Sequence, residues 1–423
     1  MKRRSVNTSS EDGPTPAPKE VGTPPASPAS TMKHGVPLGE DVTKPSMSII
    51  KRVVAGFSMI GLFCLIMYGG HLYVTLLVVV LQTLIFRELV NVRYRVNAEK
   101  NIPWFRSIQW CWFAVALLFN YGDSFQAFLR SNRNQLDFPW LRMYMQYHTW
   151  VSFSLYALLF VFSVLSLKKG YYKYQMGQLT WTIVILALIV FQMRYVLDNI
   201  FRGLFYMFFP ASLVICNDCF AYFCGKLFGK KFIKTTFLKL SPNKTWEGFI
   251  GAFLCTLVYA FFSSAVLAQY SWMICPLETI QLVPRDLSCK PHPVFTKTWY
   301  SLPPSIATFL DIPKVQLYPI QLHAIVFACF TSVISPFGGF YASAIKRAYK
   351  LKDFDSVIPG HGGFMDRMDC QFITALFTTA YCATFIWSYD TTVQAIIQSV
   401  LQLPLDQQLQ VLEQLQATIA PHV

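Results

Sequence analysis

Val315 to Ile345 carries no Asp, Glu, Lys or Arg. A helix of about 20 apolar residues crosses the hydrocarbon core of a bilayer, so a charge-free run longer than that commits the chain to lipid. The run has company. Val53–Gly69, Leu72–Phe86, Ile108–Tyr121, Tyr147–Leu167, Leu179–Met193, Gly203–Cys216, Phe249–Tyr270 and Cys370–Tyr389 are apolar in the same way. Together they predict an all-α polytopic membrane protein of about nine transmembrane helices. Charged residues make up 14% of the chain against roughly 25% in soluble domains, and mean hydropathy is +0.39. A soluble globular fold is excluded.

Residues 1–46 are polar, rich in Pro, Ser and Thr, and read as a disordered tail. No cleavable leader is visible there, so the first apolar run is expected to direct insertion. Residues 47–389 form the membrane domain that holds the chemistry. In residues 390–423, Leu405, Leu409, Leu412, Leu415 and Ile419 recur at helical spacing, which predicts an amphipathic segment. Arg194, Asp198 and Arg202 are expected to interrupt the apolar runs on either side of them.

The net charge is +14. In a soluble chain this would point to nucleic acid, but here it fits orienting loops and an anionic substrate or lipid surface, and no nucleic-acid partner is expected. With the N-terminus in the cytosol, the Lys/Arg-rich blocks Arg87–Arg106, Lys168–Lys173, Asp218–Glu247 and Lys346–Asp369 all fall on the cytosolic side, as the positive-inside rule requires. The 11 cysteines lie mostly inside apolar runs and show no disulfide or zinc spacing. Cys216 and Cys219 form a CxxC without a second pair, and read as small core residues.

Two cytosolic blocks are dense in chemistry. Ser343–Asp369 sets Lys346, Arg347, Lys350, Lys352 and Arg367 among Asp353, Asp355, Asp366 and Asp369, around Pro359-Gly360-His361-Gly362-Gly363. Cations beside carboxylates, with glycines that admit close backbone approach, suit a metal-bound phosphate. Asp366 and Asp369 share one helical face and are spaced to hold one cation, with oxygen ligands favouring Mg²⁺ over zinc. His361 is open to three readings: general base, phosphate donor or turn residue. Asp353 and Asp355 also read as solvated acids balancing Lys350 and Lys352.

The other block opens at Asp218, where an apolar span ends and a carboxylate is costly unless it pairs or works. Gly225-Lys226 to Gly229-Lys230 is one residue short of a phosphate loop, lacks the following Ser or Thr, and is rejected as one. Lys244 with the hydroxyls of Ser241 and Thr245 is placed to hold phosphate oxygens near the start of the next span. A bland capping loop would account for Ser241 and Glu247, but not for so many cations.

The residues SxxKRxxxxKDxxxxxPGHGGxxDRxD, from Ser343 to Asp369, resemble the signature of the phosphatidate cytidylyltransferase (CDP-diacylglycerol synthase) family. DxxAYxxGKxxGK from Asp218 to Lys230 and SPxKTxEG from Ser241 to Gly248 are similar to that family's second region, and tail length and lead-in resemble its eukaryotic branch. The resemblance implies a Mg²⁺-dependent nucleotidyltransferase that makes CDP-diacylglycerol and pyrophosphate from CTP and phosphatidic acid for phospholipid biosynthesis. It implies Asp366, Asp369 and Asp218 as metal ligands. Lys346, Arg347, Lys244 and Arg367 would sit on phosphate oxygens, with Lys226, Lys352, Ser241, Thr245 and Ser343 at substrate. Gly339 and Ala342 stand where bacterial members carry acids and cannot ligate metal through side chains, so Asp218 or Asp353 would complete the set. The expected location is the endoplasmic reticulum membrane. The sequence does not set the oligomeric state, and a homo-oligomer is compatible with it.

Two other classes remain. A transporter predicts charges inside spans and inverted halves, whereas these charges gather at one face. An enzyme transferring a phospho-alcohol onto a CDP-lipid needs two Asp pairs, and only Asp366/Asp369 is present.

Overall fold

Glycines with left-handed or extended backbone punctuate the apolar runs. A computed structural model describes residues 36–37, 45–94, 101–102, 104–131, 139–235, 237–238, 241, 244–277, 288–301, 304–311, 313–358, 362–387, 397, 400–401 and 403–419. Helix α1, Pro45–Gly69, stops at Gly70 (φ 95°), and α2, His71–Val92, starts directly after it. Then come α3, Phe105–Ser131, and α4, Pro139–Leu165. Helix α5 runs through Tyr172–Arg202 with a π-turn at Ala187–Phe191, and ends at Gly203 (φ 142°). A side chain at Gly203 would meet the Ile274 carbonyl at 3.1 Å, so glycine is required there twice over.

Helices α6, Phe205–Phe228, and α7, Trp246–Leu267, form the most extensive helix pair. Their crossing is backbone against backbone: a Cβ on Gly248 would lie 2.8 Å from the Ala221 carbonyl oxygen and 3.1 Å from Gly225 Cα. Small residues at such crossings are how helices associate in lipid, where burial of apolar surface supplies no drive. Helices α8, Pro319–Val333, and α9, Pro336–Ala348, each open on a proline at N1, and α10, Met365–Phe385, packs on α5, α6 and α9. The Ser335 hydroxyl, between α8 and α9, lies 2.9 Å from the Cys370 carbonyl and 2.8 Å from Thr374 Oγ1, tying that junction to α10. The core gathers Ile85, Leu89, Ile189, Phe205, Phe209 and Phe327 from α2, α5, α6 and α8.

The all-α polytopic reading holds, and the chain is an integral membrane protein. Among the described residues six helices are long and apolar enough to cross a membrane: His71–Val92, Gln146–Leu165, Tyr172–Arg202, Phe205–Phe228, Trp246–Leu267 and Pro319–Ala348. The run Val315–Ile345 begins in a strand and covers both α8 and α9, and α1, α3 and α10 fall outside that six, so the count of nine is not reproduced among the described residues. Arg194, Asp198 and Arg202 do not interrupt α5. A helix tolerates charges that reach partners, and Arg202 lies with its guanidinium carbon 4.2 Å from the Trp387 ring centre.

The cysteines need a second correction. Cys275 and Cys289 form a disulfide, 14 residues apart in sequence, in the segment between α7 and α8. Their spacing carries no motif, so only the folding of that segment reveals them. The same segment holds an antiparallel hairpin of Thr298–Ser301 with Lys314–Leu317.

Val36–Pro37, inside the stretch read as a disordered tail, pairs antiparallel with Leu351–Asp353. The rest of residues 1–46, apart from Pro45 and Ser46 in α1, lies outside the described residues. The C-terminal amphipathic helix forms as α11, Leu405–Ile419, with its apolar stripe exposed.

Candidate active site

Helices α6, α7, α9 and α10 meet around a cavity of about 500 Å³. The close α6–α7 crossing brings the end of α6 to the start of α7, so Asp218 and Lys226 face Ser241, Lys244 and Thr245. Across the cavity stand Gly339, Ser343, Asp366, Arg367 and Asp369. Two blocks far apart in sequence thus share one wall-to-wall space. Lys244 and Arg367 both lie within electrostatic range of Asp218.

Thr245 is the N-cap of α7: its hydroxyl oxygen accepts from Gly248 N at 3.2 Å. Accepting with the oxygen leaves the O–H proton free to be donated. Ser241 instead shapes the approach, its carbonyl accepting from Lys244 N at 3.1 Å. Glu247 reaches back, Oε1 accepting from Phe232 N (3.1 Å) and Ile233 N (2.8 Å), which fastens the cationic segment after α6 to α7. Gly225 therefore works as a crossing residue.

On the other wall, Asp366 is fully engaged. Its Oδ1 lies 2.7 Å from Lys346 Nζ, and its Oδ2 accepts from Phe354 N (3.1 Å) and Gly363 N (3.0 Å). A Cβ at Gly362, where φ is +80°, would lie 3.0 Å from that Oδ2. Asp369 sits one turn on. Its Oδ1 accepts from Cys370 N at 2.8 Å, and it lies close enough to Asp218 for the two charges to interact. Gly339 stands beside it: a Cβ there would lie 3.3 Å from Cys370 Sγ and in ordinary contact, 3.4 Å, with Asp369 Oδ2. Ala342 is fully buried.

Burial, and then the neighbouring Asp366 charge, push the Asp353 carboxyl above its ordinary range. Three expected site residues do not line the cavity. Lys346 stands behind it, on Asp366 and 5.5 Å from the Phe354 ring centre. Arg347 donates from Nη1 to the Leu351 carbonyl at 3.0 Å, and Lys352 lies on the strand Leu351–Asp353. His361, with Pro359 and Gly360, lies outside the described residues.

Can the donors hold a divalent ion? Asp218 and Asp369 both open on the cavity, with cations beside them suited to the phosphates such an ion would bring. The fit is to these two; among the described residues no group of three or more His, Cys, Asp or Glu gathers for a metal.

One contributor escaped the sequence reading. Glu88, near the end of α2, accepts from Phe364 N at 2.8 Å and Met365 N at 2.9 Å, at the start of α10. Its only sequence signal is an acid just beyond an apolar run.

The family model that matches, over residues 50–385, is described as the Cytidylyltransferase family. A Dictyostelium discoideum protein named "Probable phosphatidate cytidylyltransferase" is 42% identical to the chain, covering 87% of it and 77% of the relative. The Arabidopsis thaliana protein "Phosphatidate cytidylyltransferase 1" is 39% identical, covering 84% and 83%. The Homo sapiens protein of the same name is 40% identical, covering 85% and 77%.

Proposed function

The chain belongs to the cytidylyltransferase family, and from that premise we propose that it is a membrane phosphatidate cytidylyltransferase, converting CTP and phosphatidic acid to CDP-diacylglycerol and pyrophosphate. The observation that carries this is the cavity itself, where cations and the carboxylates of Asp218 and Asp369, from separate stretches, face one another. An oxygen of the phosphatidate phosphate attacks the α-phosphorus of CTP, and the bond from that phosphorus to the β-phosphate oxygen breaks, releasing pyrophosphate.

Lys226 and Lys244 bind the triphosphate, and Arg367 neutralises the charge that develops on the departing pyrophosphate. Thr245 and Ser343 donate hydroxyl hydrogen bonds, with Ser241 shaping the turn that presents Lys244. Mg²⁺, when bound by Asp218 and Asp369, supplies further neutralisation of the phosphates. Asp366, expected as a third ligand, serves in this reading to hold Lys346 and the segment from Phe354 to Gly363. Arg347 braces the start of the strand Leu351–Asp353, Lys352 lies on that strand, and His361 is retained as the group that orients or deprotonates the lipid phosphate. Acyl chains remain in the bilayer.

On the same reading it lies in the endoplasmic reticulum membrane, with its N-terminus and cavity on the cytosolic side. A supporting feature is that α7 starts at the cavity and leads, about 33 Å along its axis, to the segment with the Cys275–Cys289 disulfide. Disulfides persist on the oxidising side of a membrane.

The purified protein in detergent should release pyrophosphate when CTP, phosphatidate and Mg²⁺ are all supplied, and lose that release when any one is omitted. Turnover without phosphatidate would overturn the proposal.

A further inference from the structure

Helix α10 carries Asp366, Arg367 and Asp369 into the cavity, yet it lacks a local cap. The N-cap residue is Phe364, whose side chain has no acceptor, and it makes no side-chain capping bond. The first amides of a helix have no intrahelical partner, and leaving them buried and unpaired is costly. Here the acceptor comes from 276 residues earlier. Glu88, 2% exposed, spans the gap with Oε1 on Phe364 N and Oε2 on Met365 N. The fit is close, since a Cβ at Gly363 would stand 2.7 Å from Glu88 Oε2. One residue earlier, Arg87 contacts Asp355 at 3.5 Å, so the same turn of α2 grips both sides of the motif loop.

A carboxylate in an apolar helix is costly unless it is satisfied, and this one is satisfied by amides of a single other element. Glu88 does not line the cavity. We infer that Glu88 is a positioning residue for cytidylyl transfer, a cap supplied from another helix that fixes the height and rotation of α10 so that Asp369 and Arg367 face Asp218 and Lys244. The inference rests on the cytidylyltransferase reading. It separates two roles: the α6–α7 wall, with Lys226, Lys244 and Thr245, is not attached to Glu88 and keeps its grip on nucleotide phosphates without it.

The test is a series, Glu88→Gln, Glu88→Asp and Glu88→Ala, in the full-length protein in detergent. Small displacements of reacting groups cost up to about 100-fold in rate, so Glu88→Ala is expected to lose about that much in kcat while KM for CTP stays within about threefold. Glu88→Gln keeps one acceptor and sets an amide nitrogen against the other N–H, so its kcat should fall between Ala and wild type. Glu88→Asp is too short to reach both amides and should resemble Ala despite its charge. Hydrogen exchange, read without substrate, should show Phe364 and Met365 amides exchanging faster in Glu88→Ala. Unchanged exchange there, wild-type kcat in Glu88→Ala, or a rate loss that only follows the unfolded fraction would overturn the inference. Wild-type protein that does not turn over CTP with phosphatidate would instead overturn the functional reading.

Discussion

Lys346 Nζ lies 2.7 Å from Asp366 Oδ1, with the two side chains 13% and 4% exposed. The contact joins the last turn of α9 to the first of α10, behind the cavity. Asp366 completes its coordination with two backbone amides, which leaves no oxygen unspent. The pair therefore reads first as architecture.

Breaking one side of such a pair should be worse than removing it. Asp366→Asn or Lys346→Met alone is expected to lower stability by about 3–5 kcal/mol, because each leaves a buried charge without its partner. Lys346→Met combined with Asp366→Asn, whose amide oxygen can still accept from Phe354 N and Gly363 N, should regain part of that loss in thermal unfolding without regaining turnover. Additive single losses would show that the two residues do not act together.

Asp218 and Asp369 should behave in the opposite way. Asp218→Asn or Asp369→Asn relieves repulsion between neighbouring carboxylates, so unfolding temperature should hold or rise while pyrophosphate release falls by a hundredfold or more, on the order expected for lost transition-state stabilisation. Chelation by EDTA should silence the wild type, and Mg²⁺ should restore it. A variant of either residue with a normal Mg²⁺ titration would remove it from the metal site.

Thr245 has two jobs that substitution can separate. Thr245→Ser keeps both cap and donor and should be near wild type. Thr245→Val loses the cap, at a cost of about 1 kcal/mol, and also loses the donor, which should raise KM for CTP. Thr245→Asp keeps an acceptor for Gly248 N but sets a negative charge in the cavity. It should fold well and bind CTP worst, as read by titration.

The Cys275–Cys289 link makes a claim about compartments. Protein taken from cells under non-reducing conditions should leave these two thiols unlabelled by maleimide until reductant is added. Reduction should then lower stability by about 3 kcal/mol for a loop of this size. Labelling of Cys275 without reductant would contradict the assignment of that segment to the oxidising side.

Much of the cavity was readable in advance because its chemistry is local in sequence. Ser343–Asp369 and Asp218–Gly248 bring their cations and acids in short, patterned blocks, and nine of the expected residues line one space. What escaped is long-range. Glu88 looks like an acid trailing an apolar run until Phe364 and Met365 arrive at its carboxylate. The pairing of Cys275 with Cys289 has no motif, since any two cysteines in a loop can be that far apart. The spacing of Asp366 and Asp369 suits one helix, on which both lie, but says nothing of which acid a lysine from α9 will occupy. Arg194, Asp198 and Arg202 look like a break because hydropathy scores each residue alone, whereas a ring such as Trp387 can shelter a guanidinium within a continuous helix.

The crossing at Gly225 and Gly248 bears on selectivity. Where two main chains touch, no rotamer remains to adjust, so the distance between the Lys226 and Lys244 sides of the site is as stiff as the helices themselves. A polyphosphate therefore meets a fixed backbone spacing, and what adjusts to it is the reach of the two lysine stems.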